Sequence, residues 1–412
     1  MIGHVNRRRS IATLAAAVSV SAAAPAAAQE ADGVAVSARP GKGIAFEEKG
    51  SYKLRLTGRF QALETLSEDA EAVETETQIR RARLTLDGYV FSESIGYKLQ
   101  IGFADRDLDE RRSPLLDAYV DLTHLRDLQL QLGQQKVPFS RQSLVSSGNL
   151  QFVDRSPGNS DFQLDRDIGI QLYSDDLLGL DGLLGYNLGV FSGEGRGRLA
   201  VPAGYLWVAR VDVRPFGAFA DYEEGDLERS ASPRLAIGGA VAWNEDAQRA
   251  GSNRGAAVAT DLGLDDFGGF DYLHLGADAI FKWNGLSLFG QFLWRQAEAA
   301  ADATVEGVAT RIGPNDGYGW FVQGGQMIGP HWEIVARYSE ETALDDADDA
   351  FKADFAEAGR EVGAGINWYV HRHQLKLQAD YFRTWGVEHE GFEARSFADA
   401  ANQVRVQLQA SF

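Results

Sequence analysis

Arginine residues recur at every second or fourth position in two segments near the start of the chain. Arg55 and Arg59 share one parity in the first segment, and Arg81 and Arg83 share one parity in the second. Residues of the opposite parity are mostly apolar. In an extended strand this spacing puts the arginines on one face. A guanidinium can engage two oxygens of a phosphate or carboxylate and stays charged at any working pH, so these residues predict an anion-attracting surface that faces water.

The same alternation places further charged residues on the water-facing side of later segments. They include basic and acidic side chains, so the arginines have two possible roles. They can attract anions, or they can pair with the acids and brace the wall without selecting any ion. The basic members are Arg210, Arg214, Arg337, Lys376 and Arg405, and the acidic members are Asp117, Asp121, Glu333 and Glu361.

Segments with this period of two continue from Ser51 to the C-terminus, separated by turn residues. Their lengths are compatible with tilted membrane strands, which need about 9–11 residues to cross the bilayer. The last segment shows the pattern most clearly, because one face carries Val404, Val406 and Leu408 while Gln and Arg occupy the other. We mark sixteen segments, at 51–61, 77–89, 93–104, 114–122, 128–136, 167–174, 183–193, 204–214, 232–244, 270–283, 285–297, 317–329, 330–341, 358–369, 373–385 and 402–412.

Strands with one apolar and one polar face fit a wall between lipid and water. No segment after residue 28 has about 18 consecutive apolar residues, and only helices or closed barrels satisfy every backbone group in a bilayer. The sequence therefore predicts an all-β fold, a transmembrane antiparallel β-barrel of about 16 strands. Aromatic residues near the segment ends, such as Trp207, Trp283 and Trp368, are typical of interfacial girdles.

The chain divides into three parts. Residues 1–28 have three arginines, an apolar run and small residues before Gln29, which is typical of a cleavable signal peptide. Residues 29–50 lack strand periodicity and are expected to be a flexible periplasmic lead-in, followed by the barrel at 51–412. The formal net charge is −19, and residues 1–28 contain arginines but no acids, so cleavage makes the mature chain still more acidic. That charge argues against nucleic-acid binding.

The links between segments are of two kinds. Short links, such as Asn284-Gly285, suit tight turns on the periplasmic side. Long links rich in Asp, Glu, Ala, Gly and Ser are expected to be extracellular loops. These long links are 62–76, 137–166, 215–231, 245–269, 298–316, 342–357 and 386–401.

Four stretches in order resemble the phosphate-selective porins, the O and P porins of Gram-negative outer membranes. The resemblance is densest over 78–193 and continues more weakly over the mature chain to the terminal Phe412. The stretches are Gln78-Ile-Arg-Arg-Ala-Arg-Leu-Thr-Leu-Asp-Gly88, Leu116-Asp-Ala-Tyr-Val120, Leu132-Gly-Gln-Gln-Lys-Val-Pro-Phe139 and Asp165-Arg-Asp-Ile-Gly-Ile170.

This resemblance implies a homotrimer of sixteen-stranded barrels in the outer membrane, with a long third extracellular loop, here 137–166, folded into the lumen as a constriction. It also implies a channel wall lined by arginines. Arg80 and Arg81 match the paired arginines of the second strand, and Arg155 matches an arginine of the loop. The loop's anion-binding lysines are absent, and Ser143 and Gly148 stand at their places. The expected constriction residues are Arg141, Ser143, Ser146 and Ser147.

No motif for catalysis, a cofactor or a metal appears: GxSxG and HExxH are missing, and the chain has no Cys. The function favoured by the sequence is a passive, water-filled channel that contacts outer-membrane lipid and passes small anionic or neutral solutes, with anions such as phosphate preferred. One alternative is an unselective or mildly cation-favouring diffusion porin, because the chain is acidic overall. Another is an outer-membrane enzyme or a soluble secreted β-protein.

The residues predicted to line the pore or bind anions combine those assigned by parity with those assigned by resemblance. They are Arg55, Arg59, Arg80, Arg81, Arg83, Arg155, Arg210, Arg337 and Arg405.

Overall fold

The computed structural model describes residues 29–31, 33–69, 72–108, 113–197, 204–254, 269–298, 303–305, 308–310 and 313–412. The predicted signal peptide, residues 1–28, lies outside these described residues. The strands are β1 Gln29–Ala31, β2 Val34–Arg39, β3 Gly43–Glu48, β4 Tyr52–Glu68, β5 Val73–Val90, β6 Ser92–Gly102, β7 Leu115–Leu122, β8 Gln129–Lys136, β9 Arg166–Ser174, β10 Leu184–Phe191, β11 Leu206–Val213, β12 Arg234–Ala247, β13 Phe270–Trp283, β14 Leu286–Ala297, β15 Ala303–Val305, β16 Val308–Thr310, β17 Gly317–Ile328, β18 Trp332–Ala343, β19 Arg360–His373, β20 Leu375–Trp385 and β21 Ala401–Ser411.

Sixteen of the described strands close into one antiparallel barrel. Strands β4 to β14 pair in sequence order, β17 to β21 continue the sheet, and β21 pairs with β4 from Asn402↔Glu68 to Ser411↔Arg59. Each barrel strand overlaps one of the sixteen predicted segments, so the fold class is confirmed. Closure leaves no exposed sheet edge in the wall, as a bilayer requires.

Alternation of side chains between lipid and lumen follows the predicted parity. On β21, Val404, Val406 and Leu408 are exposed on the outer face, whereas Gln407 and Gln409 are buried inside. The chain ends against the first barrel strand, where the amide N–H groups of Gly58 and Phe412 donate to each other's carbonyl oxygens at 2.7 and 2.9 Å. This pairing joins the two ends of the barrel sheet.

The first hairpin is longer than predicted. Residues 62–76 were expected to be a long loop, but β4 runs to Glu68 and β5 starts at Val73, with pairing continuous from Ala62↔Ile79 to Glu68↔Val73. A hairpin that continues into water needs no apolar outer face, so its polar sequence is compatible with a loop as well as with strands. Backbone pairing, which the residue pattern does not reveal, decides between them.

The segment 29–50 also differs from the expected flexible lead-in. Strands β2 and β3 pair with each other, and β3 pairs with the start of β4 from Ile44↔Leu56 to Glu48↔Tyr52. Because β21 ends opposite Gly58, this part of β4 would otherwise present unpaired backbone groups. Strand β3 fills that edge, which is a tertiary requirement and has no signature in residues 43–48 alone.

The described parts of the links contain three α-helices, which are α1 Arg141–Leu144, α2 Pro157–Ser160 and α3 Asp349–Ala358. Asp348 is the N-cap residue of helix α3, and its side chain accepts a hydrogen bond from the Ala350 amide. Its Phe351 and Phe355 pack against Phe162 of the 137–166 loop. No helix in the described part of the chain is long and apolar enough to cross a bilayer.

Candidate pore and anion site

The 137–166 loop lies inside the barrel, as predicted. It connects β8 to β9 and crosses the lumen to reach the far wall. Ser140 Oγ donates to Gln291 Oε1 of β14 at 3.0 Å, and Ser156 Oγ lies 2.7 Å from Ser339 Oγ of β18. Phe139, Phe152 and Phe162 are fully buried. The loop therefore fills part of the lumen and is anchored to several strands.

The link between β11 and β12 enters the lumen from the opposite end. Links of an antiparallel barrel alternate between its two ends, so residues 214–233 lie at the end of the short turns, and the prediction that 215–231 is an extracellular loop is wrong. Three of its acids, Asp221, Glu224 and Asp226, are buried. Glu224 Oε1 and Oε2 accept from the Gln142 side chain at 2.9 Å and the Gln151 amide at 2.8 Å. Asp221 and Glu224 thus hold the 137–166 loop inside the barrel instead of facing solvent.

A β-bulge turns two neighbouring arginines to the same side of the wall. Gln61 pairs with Arg81 and Ala62 with Ile79, so Arg80 is an extra residue in β5. Strict alternation would send one of the two arginines outward. Instead both are buried on the inside, and both donate to Asp154 of the loop. Sequence parity alone assigned only Arg81 to the lumen, and the resemblance assigned Arg80.

The open space beside the loop is a cavity of about 620 Å³, which we call the arginine chamber. Strands β4 to β8 form one side, and the loop forms the other. Twelve basic and five acidic side chains line it, so it carries a marked excess of positive charge although the chain is acidic overall. The basic residues are Arg59, Arg80, Arg81, Arg83, Lys98, Arg106, Lys136, Arg155, Arg166, Arg196, Arg254 and Arg405, and the acidic residues are Asp107, Asp117, Asp154, Asp161 and Asp165.

Some chamber arginines are compensated by carboxylates and others are not. Arg83 Nε donates to Asp107 Oδ2 at 2.9 Å, and Arg81 Nη2 lies 3.2 Å from Asp154 Oδ1. Arg59 instead donates to Ser146 Oγ at 2.9 Å and to Ser147 Oγ at 3.0 Å. Because hydroxyls carry no charge, these contacts orient the guanidinium of Arg59 and leave its positive charge available to an anion.

Arg155 of the loop is held through carbonyl oxygens. Its Nε donates to Gln142 O at 2.8 Å and its Nη2 to Val145 O at 2.7 Å. Lys136, at the base of the loop, donates to Ser143 O at 2.6 Å and Leu144 O at 2.9 Å. Both cations therefore stabilise the turn around α1 while they face the chamber.

The predicted pore residues divide into three groups. Arg55 lies below the chamber, at a smaller opening that also contains Lys42, and it pairs with Asp87. Arg141, Arg210 and Arg337 are buried beside acidic side chains and do not line the chamber. The residues that the structure brings together in the chamber are Arg59, Arg80, Arg81, Arg83, Arg155 and Arg405, with Ser143, Ser146 and Ser147 of the loop.

Arg141, Arg210 and Arg337 are the buried group. Arg210 Nη1 lies 2.8 Å from Asp278 Oδ2, and Arg337 Nε lies 2.7 Å from Glu361 Oε1. Their guanidinium groups are almost inaccessible, so they fit the bracing role that the sequence left open. Arg210 and Arg337 face inward as the predicted parity requires, and both have a partner on another strand.

Several chamber cations were not predicted. Lys98 shares the parity of Gln100 on β6, so strand alternation could have found it. Arg196 and Arg254 come from links without periodicity, and no sequence signal points to them. Lys136 supplies a lysine next to the loop although the expected loop lysines are absent.

Comparisons with known proteins agree with this geometry. Residues 51–181 match the family of phosphate-selective porins O and P. An uncharacterized protein of Aquifex aeolicus (strain VF5) is 24% identical over 360 residues, which cover 79% of this chain and 80% of that protein.

Among solved structures, the outer membrane channel DcaP of Acinetobacter baumannii has a TM-score of 0.54 at 14% identity, covering 89% of this chain and 99% of DcaP. An anion-selective porin from Comamonas acidovorans has a TM-score of 0.53 at 12% identity, covering 88% of this chain and 100% of that one. At such identities the likeness concerns the fold. The closed sixteen-stranded barrel, together with the match of residues 51–181 to the phosphate-selective porins O and P, identifies the chain as an outer-membrane porin.

Proposed function

We propose that this porin is a passive channel that prefers small anions, phosphate among them. The observation that supports this most strongly is the excess of basic over acidic side chains in the arginine chamber. A chamber with one predominant sign of charge and low-dielectric walls concentrates the opposite ion. Transport down a gradient needs no energy source.

The contacts of the arginines suit binding that is reversible. Arg59 is oriented by two hydroxyls, and Arg80 and Arg81 share the single carboxylate of Asp154. An entering anion can replace part of that pairing with bidentate contacts to the guanidinium groups. Conduction requires an ion to leave as well as to enter, and several neighbouring weak sites allow this better than one deep site.

The alternative is a general or mildly cation-favouring porin. It is favoured by the net charge of −19 and by the acids that lie in the links. Those charges would repel anions at the mouth. In the lumen, however, buried acids such as Asp278 and Glu361 are paired with arginines and do not line the chamber. This difference supports the anion-preferring proposal.

We also propose that the chain forms a homotrimer, with the predicted signal peptide 1–28 removed on export. One structural neighbour, OmpT of Vibrio cholerae, is described in a trimer form. All eight tryptophans lie on β11 to β20, one on each of eight consecutive barrel strands. Tryptophan prefers the lipid–water interface. The wall from β21 through β4 to β10 lacks it, which fits contact with other copies of the chain.

The test of the channel proposal is recording from the purified porin in a planar bilayer. The reversal potential in a KCl gradient should show preference for chloride, and added phosphate should block the chloride current. A cation-favouring reversal potential would contradict the proposal and support the alternative. Closure in three steps is the result expected for the trimer, and single steps only would contradict that assembly.

A further inference from the structure

A second cavity of about 280 Å³ adjoins the arginine chamber, and we call it the tyrosine recess. Lys98, Asp117, Lys136 and Leu144 line both spaces, so the two cavities share a boundary formed by these side chains. Strands β7 to β10 form its wall, and Tyr222 of the inserted 214–233 link closes its inner side. A solute in the chamber therefore lies next to the recess.

The lining of the recess differs chemically from that of the chamber. The described lining includes no arginine; it carries three tyrosines and four side-chain amides. Tyrosine offers an apolar ring with a polar tip, and an amide group offers both donors and an acceptor. These residues are Tyr119, Tyr173, Tyr222, Gln131, Gln135, Gln171 and Asn187.

The polar groups of the recess are only partly satisfied within the protein. Tyr173 donates its hydroxyl to both carboxylate oxygens of Asp121 at 2.9 Å, and Gln171 Nε2 donates to Asn187 Oδ1 at 2.7 Å. Gln135 is 1% exposed, and its Oε1 accepts no hydrogen bond. A buried acceptor without a donor is costly, so a hydrogen bond from a solute hydroxyl to the Gln135 amide oxygen would be favourable once this side chain turns toward the recess.

We infer that this porin conducts small organic anions that also carry several hydroxyl groups, such as sugar phosphates. This inference rests on the proposed anion channel. The anionic group would lie among the arginines, and the hydroxylated ring would lie in the recess against the tyrosine faces and amides. Inorganic phosphate would use the chamber alone. Small-molecule sites typically measure about 300–1,000 Å³, and the chamber lies in this range by itself, with the recess as additional space beside it.

The experiment compares block of the chloride current by three probes in a planar bilayer: glucose 6-phosphate, inorganic phosphate and neutral glucose. Half-block by glucose 6-phosphate should occur at a concentration about tenfold lower than half-block by phosphate, as one or two added hydrogen bonds would give. Glucose, which lacks the charge, should block far less than either. If the two anions gave half-block at the same concentration, the inference would be overturned, and the proposed anion channel would be unaffected.

Variants of the recess residues test whether the preference for glucose 6-phosphate arises in the tyrosine recess. Gln135→Leu, and separately Tyr119→Leu, should raise the concentration of glucose 6-phosphate needed for half-block to that of inorganic phosphate. Neither variant should change the concentration of inorganic phosphate needed for half-block. Gln407→Leu is the matched control, because Gln407 is equally buried with an unpaired Oε1 but lines neither cavity. If both recess variants folded into heat-modifiable barrels and kept the preference, the recess would be excluded. A reversal potential without anion preference would overturn the proposed function as well.

Discussion

Arg141 and Asp221 are joined inside the barrel by an ion pair with an Nη1–Oδ2 distance of 2.8 Å. Arg141 belongs to the loop that enters from the long-loop end, and Asp221 to the link that enters from the short-turn end. Arg141 also contacts Asp212 and Asp278 of the wall. Two inserted segments and the wall thus meet at one guanidinium, which fixes the side of the lumen on which open space remains.

Replacing Arg141 should release the loop. Arg141→Met leaves three buried carboxylates short of a partner, and breaking a buried pair in this way costs about 3–5 kcal/mol. We expect heat-modifiable migration to be lost at a lower temperature and the single-channel conductance to become larger and noisier. Arg372→Met is the control, because Arg372 forms an exposed pair with Glu228, and such pairs contribute about 0–1 kcal/mol. Unchanged conductance in the Arg141 variant would show that the loop is held without this contact.

Arg59 should contribute directly to ion preference. Arg59→Gln removes an uncompensated charge from the chamber while retaining a side chain that can bond to Ser146 or Ser147. The chloride-to-potassium permeability ratio, measured from reversal potentials, should fall by about twofold or more. The same change at Arg126, which lies in an exposed turn and pairs with Asp127, should leave the ratio as it was. An equal ratio in both variants would assign Arg59 a structural role only.

The anion preference should be insensitive to moderate acid. Burial opposes ionisation of Asp154, but Arg81 and Arg80 outweigh it and hold the pKa of this carboxyl well below its usual range. A lowered pKa means that Asp154 stays charged, and its stabilising pairs persist, until the pH falls through that lowered value. Arginines also stay protonated. The permeability ratio should therefore be constant from about pH 8 to about pH 5, where an ordinary Asp is still mostly ionised. A preference that disappears within this window would point to other titrating groups.

A disulfide can test whether the loop moves during conduction. Ser156 Oγ of the loop lies 2.7 Å from Ser339 Oγ of β18, and the natural chain contains no Cys. The double variant Ser156→Cys with Ser339→Cys should oxidise readily and migrate differently on a non-reducing gel. If the loop is a fixed constriction, conductance should be the same in the oxidised and reduced protein. A change on reduction would instead show a mobile loop.

The sequence by itself determined the barrel. Alternation with a period of two, repeated sixteen times, fixes which residues face lipid, because each strand must present apolar side chains to hydrocarbon. It therefore placed Arg59, Arg81 and Arg405 inside correctly. The ordered motifs over 78–193 led to the resemblance to the phosphate-selective porins and to the correct expectation that the 137–166 loop folds into the lumen.

Only the tertiary structure decided how the lumen is filled and which charges remain available. Parity says that Arg210 and Arg337 point inward, but it cannot say that Asp278 and Glu361 on other strands neutralise them. Parity also gives the wrong orientation for Arg80, which a β-bulge turns inward. The sequence pattern likewise did not predict that acids of the 214–233 link bind the loop inside the barrel. Pairing across strands and the entry of links into the lumen depend on contacts between residues far apart in the chain. A local sequence pattern does not predict such contacts.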